Sequence, residues 1–355
     1  MKDRSLLPVD LYSDNVAPAA PEIIAALARV NAGPAQPYGR DPESQALKTA
    51  FSDLFGCEVW VLPVSTGTAA NSIALSALTP PYGTILCSDT AHIQTSECGA
   101  TELFSGGAKL TYVPAESGRM SADALNEVIR KAGKGLQHRS QLAAVSLTIG
   151  TERGTVYPIS EIARIAEVAR KHGLHFHIDG ARFANALVAL GTSARSVTTD
   201  LGVDALSFGA TKNGTLNTEA IVVFRKDIAN DLYYRVRRAG QVWSKMRYSA
   251  VQLNAYIENG LWLRLAGQAN MAAKLLSEGL NQVPGIRLME TVEINQLFVE
   301  MPHEVIAGLE ADGIGLGRRD EGVRMVTAWC TTAEEVAHVV KRAQFHSGAS
   351  RGPHS

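Results

Sequence analysis

Two apolar runs of this chain end on residues that could do chemistry together: Asp179 in HFHIDGAR (His175 to Arg182) and Lys212 in SFGATKNG (Ser207 to Gly214). A lysine amine at the mouth of a sheet can form a Schiff base with an aldehyde. A carboxylate on a neighbouring strand end can pair with a protonated pyridine nitrogen and keep that ring an electron sink. Neither group alone is informative. Together they are the protein groups that pyridoxal 5'-phosphate chemistry requires, and that cofactor is the expectation.

Other residues could complete such a site. The run VWVLPVS (59–65) passes into TGTAANSIALSAL, a small-residue turn that opens a helix. Backbone N–H groups at Gly67 and Thr68, with the Thr68 hydroxyl, stand where a helix N-terminus would take a phosphate; a plain tight turn is the alternative. His92, in SDTAHIQTSECGA, follows another strand end, where a flat imidazole could stack on a pyridine ring and handle protons; a packed histidine reads as well in isolation. Arg182, three residues after Asp179, could reach a cofactor oxygen or a substrate carboxylate, or pair with a nearby acid. Arg324, between apolar neighbours in GVRMVTAW, needs an anionic partner, either a substrate carboxylate or a structural acid. Ser13 in DLYSDN could hydrogen-bond the same carboxylate or form a turn. His175 and His177 flank Asp179 and read as packing residues.

The elements that must position these groups follow from periodicity. Strand-like runs fall at 58–64, 84–88, 109–114, 142–149, 174–178, 203–208 and 220–224, with helical spacing at 68–78, 121–132, 159–172 and 181–190. Near-continuous apolar strands alternating with helices imply a largely parallel sheet covered on both faces, whose ligands collect beyond the carboxyl ends of its strands. Asp179 and Lys212 occupy such ends. A helix is expected over Pro21–Val30, and Asp41 followed by Pro42 is a helix start. Beyond residue 225 the pattern changes to a long helical stretch over 247–283, strands within 286–300 and at 323–329, and helices at 303–312 and 333–344. The expected organisation is therefore an arm over 1–20, a large cofactor-binding α/β unit over 21–245, a smaller α+β unit over 246–345 and a disordered tail over 346–355.

Composition excludes several classes. The chain has 355 residues, 46% hydrophobic and 19% charged, with a formal net charge of −1. No basic surface favours nucleic acid, and no apolar run approaches a membrane span. The N-terminal residues lack the apolar core of a secretory signal. Four scattered cysteines read as reduced thiols in a cytoplasmic protein, without metal-ligand spacing. GIGLGRR (Gly313 to Arg319) lacks the strand-turn-helix context of a dinucleotide site. The basic run RRAGQVWSKMR (Arg237 to Arg247) reads as an isolated loop, placed for a phosphate contact from a neighbouring subunit.

Seven segments in order, DLYSDN, YGRDP, STGTAAN, SDTAHI, HIDGAR, LSFGATKNG and VRMVTAW, resemble the low-specificity L-threonine aldolases over about Val9 to Arg342. These belong to the β-eliminating lyase group of aspartate-aminotransferase-fold pyridoxal phosphate enzymes. The resemblance implies Lys212 as the Schiff-base lysine, Asp179 as partner of the pyridine nitrogen and His92 as the stacking histidine. It implies phosphate contacts at Gly67 and Thr68, and cofactor or substrate contacts at Ser13, Arg182 and Arg324. Tyr38 would border a site, and Lys245 or Arg247 would reach a neighbouring subunit's phosphate, which implies a homodimer, usually doubled to a homotetramer. One departure stands out: where many members carry a second histidine, this chain has LTIGTERGTVYP, with Thr151 and Glu152 at that place. The base acting on a substrate hydroxyl is then His92, a water it holds, or Glu152. The implied reaction cleaves L-threonine, L-allo-threonine or a related L-β-hydroxy-α-amino acid to glycine and an aldehyde. The alternatives are transamination or β-elimination on the same scaffold, a nucleotide-dependent oxidoreductase, or a non-catalytic scaffold.

Overall fold

The computed structural model describes residues 9–319 and 322–348. Helices α1 (Pro21–Val30) and α2 (Pro42–Phe55) come first, then β1 (Trp60–Val64), α3 (Gly67–Leu78) and β2 (Gly83–Ser88). Two short helices, α4 (His92–Thr95) and α5 (Ala100–Ser105), lead to β3 (Lys109–Val113), a small hairpin of β4 (Ala115–Glu116) and β5 (Arg119–Met120), and α6 (Ala122–Lys131). Then follow β6 (Gln141–Thr148), α7 (Ile159–His172), β7 (His175–Gly180), α8 (Phe183–Leu190), β8 (Ala205–Phe208), β9 (Glu219–Val223) and α9 (Lys226–Arg238). The chain closes with α10 (Arg247–Ile257), α11 (Leu261–Leu280), β10 (Arg287–Leu288), β11 (Gln296–Glu300), α12 (His303–Ala311), β12 (Gly317–Arg319), β13 (Gly322–Val326) and α13 (Ala333–His346).

Seven strands form one sheet in the order β1-β9-β8-β7-β6-β2-β3. It is parallel except for β9, which runs antiparallel to both its neighbours, β1 and β8. Alternation along the strands explains why both faces are covered. Ala220 and Val222 of β9 enter one apolar cluster, while Ile221 and Val223 enter another on the opposite face. Each valine or isoleucine buried in this way contributes about 1.5–3 kcal/mol. The fold is therefore the expected α/β architecture with a mostly parallel sheet. A second, antiparallel sheet, β10-β11-β13-β12, packs with α12, α13 and the far end of α11 around a separate cluster that includes Leu276, Leu297, Val305 and Val339.

Local chemistry sets the helix starts. The Asp41 side chain accepts from Ser44 N, with Pro42 in the first helical turn, and Thr66 accepts from Ala69 N to begin α3. Three expectations need correction. The stretch 247–283 is two helices, because Asn259 (φ 52°) and Gly260 (φ 69°) take left-handed conformations between them. Arg237 and Arg238 lie not in a loop but in the last turn of α9, an amphipathic helix that buries Ile228, Leu232 and Val236. Two short helices, α4 and α5, follow the strand before His92, where no helix was expected. Helix α13 runs to His346, and the tail from residue 349 lies outside the described residues, as do residues 1–8.

Candidate active site

Strands β7 and β8 are parallel and in register, with Asp179 beside Ser207 and Gly180 beside Phe208. The chain leaves β8 through Gly209, where a Cβ would lie 2.5 Å from the Ala181 carbonyl oxygen and 2.6 Å from that of Gly180. Only glycine lets the two strand ends approach this closely. The turn Thr211–Asn213 then delivers Lys212 to a cavity of about 240 Å3 that Asp179 also lines. Gly67, Thr68 and His92 complete its wall, so the start of α3 and the residue after β2 converge on the same space.

Asp179 is 3% exposed and is held by N–H donors: Asn71 Nδ2 at 2.9 Å and its own turn's Ala181 N at 3.0 Å. Asn71 also donates to Glu97 Oε1 (2.9 Å), which contacts His92 Nδ1 (2.8 Å). A chain of hydrogen bonds thus links His92, Glu97, Asn71 and Asp179. Another buried acid, Glu219 on β9, accepts from Ala210 N just before the lysine turn, and burial pushes its carboxyl above the usual range.

A second cavity, of about 730 Å3, shares Asn15, His92 and Lys212 with the first and adds Ser13, Glu152, Arg182 and Arg324. Ser13 Oγ accepts from Asn15 N (3.2 Å) and caps a short turn at Asp14–Val16. Arg182 grips the buried Asp14 with two bonds, Nε at 2.8 Å and Nη2 at 2.9 Å. Burial alone would raise the Asp14 pKa, but Arg182, Lys212 and the Asn295 hydrogen bond outweigh it and hold it below the usual carboxylate value. Arg324 gives Nη2 to the Tyr12 carbonyl oxygen (3.0 Å), while its buried Nε has no partner. Burial, with Arg319 and Arg182 nearby, lowers its pKa. No carboxylate of the described residues pairs with Arg324, so this guanidinium can receive an anion from the cavity. Glu152 Oε1 accepts from His92 N (2.8 Å) and Thr148 Oγ1 (2.9 Å), and Oε2 is buried without a partner.

Nine of the residues singled out in the sequence therefore meet around these two cavities: Lys212, Asp179, His92, Gly67, Thr68, Glu152, Arg182, Ser13 and Arg324. Three do not. Tyr38 is exposed under the Arg237 guanidinium (5.2 Å) and lines a separate cavity with Lys48 and Trp60. Lys245 precedes α10, and Arg247 lies over the Tyr248 ring (4.9 Å). Sequence reasoning missed Asn71, Glu97, Asp14 and Glu219. No local signal marked them; even Asn71 lies among other polar residues of α3, Thr68, Ser72 and Ser76.

The residues present fit pyridoxal phosphate. Asp179 is a buried carboxylate with N–H donors but no cation within ion-pair distance among the described residues, a state that a protonated pyridine nitrogen would relieve. No hydrogen-bond or ion-pair partner holds the Lys212 amine among the described residues. At Gly67, on the cavity wall, a Cβ would meet nothing within 4 Å, so the helix N-terminus is open to an anion.

Known proteins similar to this chain include L-threonine aldolases. The chain is 39% identical to a low specificity L-threonine aldolase of Pseudomonas aeruginosa, over 95% of this chain and 97% of that one. It is 38% identical to the low specificity L-threonine aldolase of another Pseudomonas strain, over 91% and 94%. Among solved structures it superposes on a threonine aldolase of Leishmania major with a TM-score of 0.89 at 25% identity, covering 96% of this chain and all of that one. The family model for beta-eliminating lyases matches residues 10–303, and the chain belongs to the beta-eliminating lyase family.

Proposed function

We propose that this protein is a pyridoxal-phosphate-dependent carbon–carbon lyase that cleaves L-threonine, L-allo-threonine or a related L-β-hydroxy-α-amino acid to glycine and an aldehyde. The observation that carries the reading is the buried, cation-free Asp179 sharing a cavity with the unpartnered Lys212 amine. The names of the Pseudomonas and Leishmania relatives support the substrate class.

Lys212 would hold the cofactor through its amine, Asp179 through the ring nitrogen, His92 across the ring face, and Gly67 and Thr68 through the phosphate. When bound, pyridoxal phosphate supplies an electron-withdrawing ring that takes up charge developing at the substrate Cα. The chain's own groups do the rest. Arg324 and Ser13 hold the substrate carboxylate, and orientation then selects the bond to be cleaved. Arg182, fixed by Asp14, adds positive charge beside that carboxylate without swinging toward it. A base, either His92, a water it holds or Glu152, takes the β-hydroxyl proton.

Tyr38, Lys245 and Arg247 lie away from the two cavities that hold Lys212, which supports their serving a neighbouring subunit and hence a homodimer or homotetramer. A cytoplasmic location is read from the scattered cysteines, of which Cys57, Cys87 and Cys98 are free thiols. No helix among the described residues is long and apolar enough to cross a membrane. We read α11 as the link between the large unit and the smaller C-terminal one, because its first half packs in the main core and its second half in the other.

Product analysis with L-threonine tests the function. Glycine and acetaldehyde in equal amounts are expected. An oxo acid with retained or released ammonia would instead mark an aminotransferase or a β-eliminating enzyme.

A further inference from the structure

The two oxygens of the Glu152 carboxylate stand in different states. Its Oε1 is fixed by two donors, the His92 backbone N–H and the Thr148 hydroxyl. Its Oε2 is buried and has no hydrogen-bond partner among the described residues. Leaving a buried polar oxygen unmet costs about 1–3 kcal/mol, more when charged, so a fold that keeps one needs a reason. The residue lines the larger cavity together with Ser13, Arg324 and Lys212. A substrate with its carboxylate on Ser13 and Arg324 and its amine toward Lys212 must direct its side chain to the remaining wall. Two carboxylates lie in that wall, Asp89 and Glu152, and Asp89 is exposed to solvent. His92, whose Nδ1 is bonded to Glu97, is placed across the ring face of the cofactor rather than beside the substrate's side chain.

Resting on the aldolase reading above, we propose that Glu152 is the catalytic acid–base group for the substrate's β-hydroxyl. In cleavage its carboxylate takes the hydroxyl proton, the O–H electron pair becomes the second C–O bond of the aldehyde, and the Cα–Cβ pair stays with Cα. Cα later gains one proton, so the reaction consumes none overall. In the reverse direction the protonated Glu152 returns its proton to the new alkoxide.

Electrostatics suit both directions. Burial first, and then the negative Asp179 on β7, push the Glu152 carboxyl up to about 7, near the optimum for a group that must give and take a proton at neutral pH. The other titratable or charged groups facing it are His92 on α4, Cys87 on β2, Tyr157, and the cavity residues Asp89, Arg153, Arg182 and Lys212. Burial pushes the Cys87 thiol up to about 12 and the Tyr157 hydroxyl upward as well, so both stay neutral across the working range.

Glu152→Gln keeps an oxygen for His92 N and Thr148, and so keeps the turn, but removes the base. Three readouts compare it with wild type and His92→Asn: L-threonine cleavage, exchange of the glycine α-hydrogen with solvent deuterium followed by NMR, and the visible absorbance of the bound cofactor on adding glycine. Glycine has no β-hydroxyl. Glu152→Gln should therefore lose ~100-fold or more in cleavage kcat, while glycine exchange and the absorbance response stay comparable to wild type. Wild-type-like cleavage in Glu152→Gln would overturn the proposal. So would parallel loss of glycine exchange, which would mean a structural role. A wild-type protein that leaves both threonine and glycine untouched would overturn the aldolase reading itself, and the proposal with it.

Discussion

At the scale of single residues, the account turns on carboxylates whose surroundings differ. With Glu152 pushed up to about 7, the cleavage kcat should fall as pH drops through neutrality, because the protonated acid cannot accept the hydroxyl proton. A pH–rate profile checks this, and the Glu152→Gln profile should lack that acid limb. Asp14 is the opposite case. Its native pKa is depressed, so the stability it contributes is present above the ordinary aspartate value and lost as pH falls through the depressed one. Arg182→Ala leaves Asp14 buried and unpaired, at a cost of about 3–5 kcal/mol at neutral pH. The deficit should shrink at about pH 4, where the unpaired acid is neutral. Denaturant unfolding at both values decides it, and an equal deficit would count against the ion pair. Lys212, Asp179 and His92 were legible in the sequence because reactive side chains at or just past strand ends are conspicuous, and Arg324 because it interrupts an apolar strand. Asn71 and Glu97 were not, because their role lies in a hydrogen-bond relay between three elements, a relation without a local pattern.

At the scale of elements, glycine positions carry two tests. Gly209→Ala would place a Cβ against the carbonyl oxygens of Gly180 and Ala181 and force the ends of β7 and β8 apart. The expected result is loss of bound cofactor absorbance even though Asp179 and Lys212 are intact. Gly260 has open space around it, so Gly260→Ala should cost only the left-handed backbone penalty, about 1 kcal/mol, with cofactor absorbance unchanged. Thermal unfolding and absorbance together separate the two. Apart from the short helices α4 and α5, the main strands and helices up to residue 224 were readable because buried parallel strands are nearly all apolar and the helices between them keep a clear stripe. The break at Asn259–Gly260 was not, since apolar residues continue at helical spacing on both sides and only two backbone conformations mark the turn. Helix α9 was hidden by its own charges, which drew attention to the basic face rather than to Ile228, Leu232 and Val236 beneath it.

At the scale of the molecule, one chain assembles nine of the twelve residues singled out, and the other three lie elsewhere on it. If Tyr38, Lys245 and Arg247 serve a neighbour, light scattering should give the mass of a dimer or tetramer. Co-assembly of inactive Lys212→Ala chains with Arg247→Ala chains should then restore activity in hybrid sites. Mixed assemblies no more active than their parents would show that each chain works alone. Only the resemblance suggested a place for these three residues; no local pattern in the chain marks them, because their partners would belong to another copy.

The central claim is that one amine, Lys212, carries the cofactor opposite the acid of Asp179. Borohydride reduction of the purified protein, followed by mass mapping of its peptides, tests it directly. Loss of visible absorbance and a single pyridoxyl group on Lys212 are expected. A pyridoxyl group on any other lysine, or none at all in a protein that cleaves threonine, would contradict it.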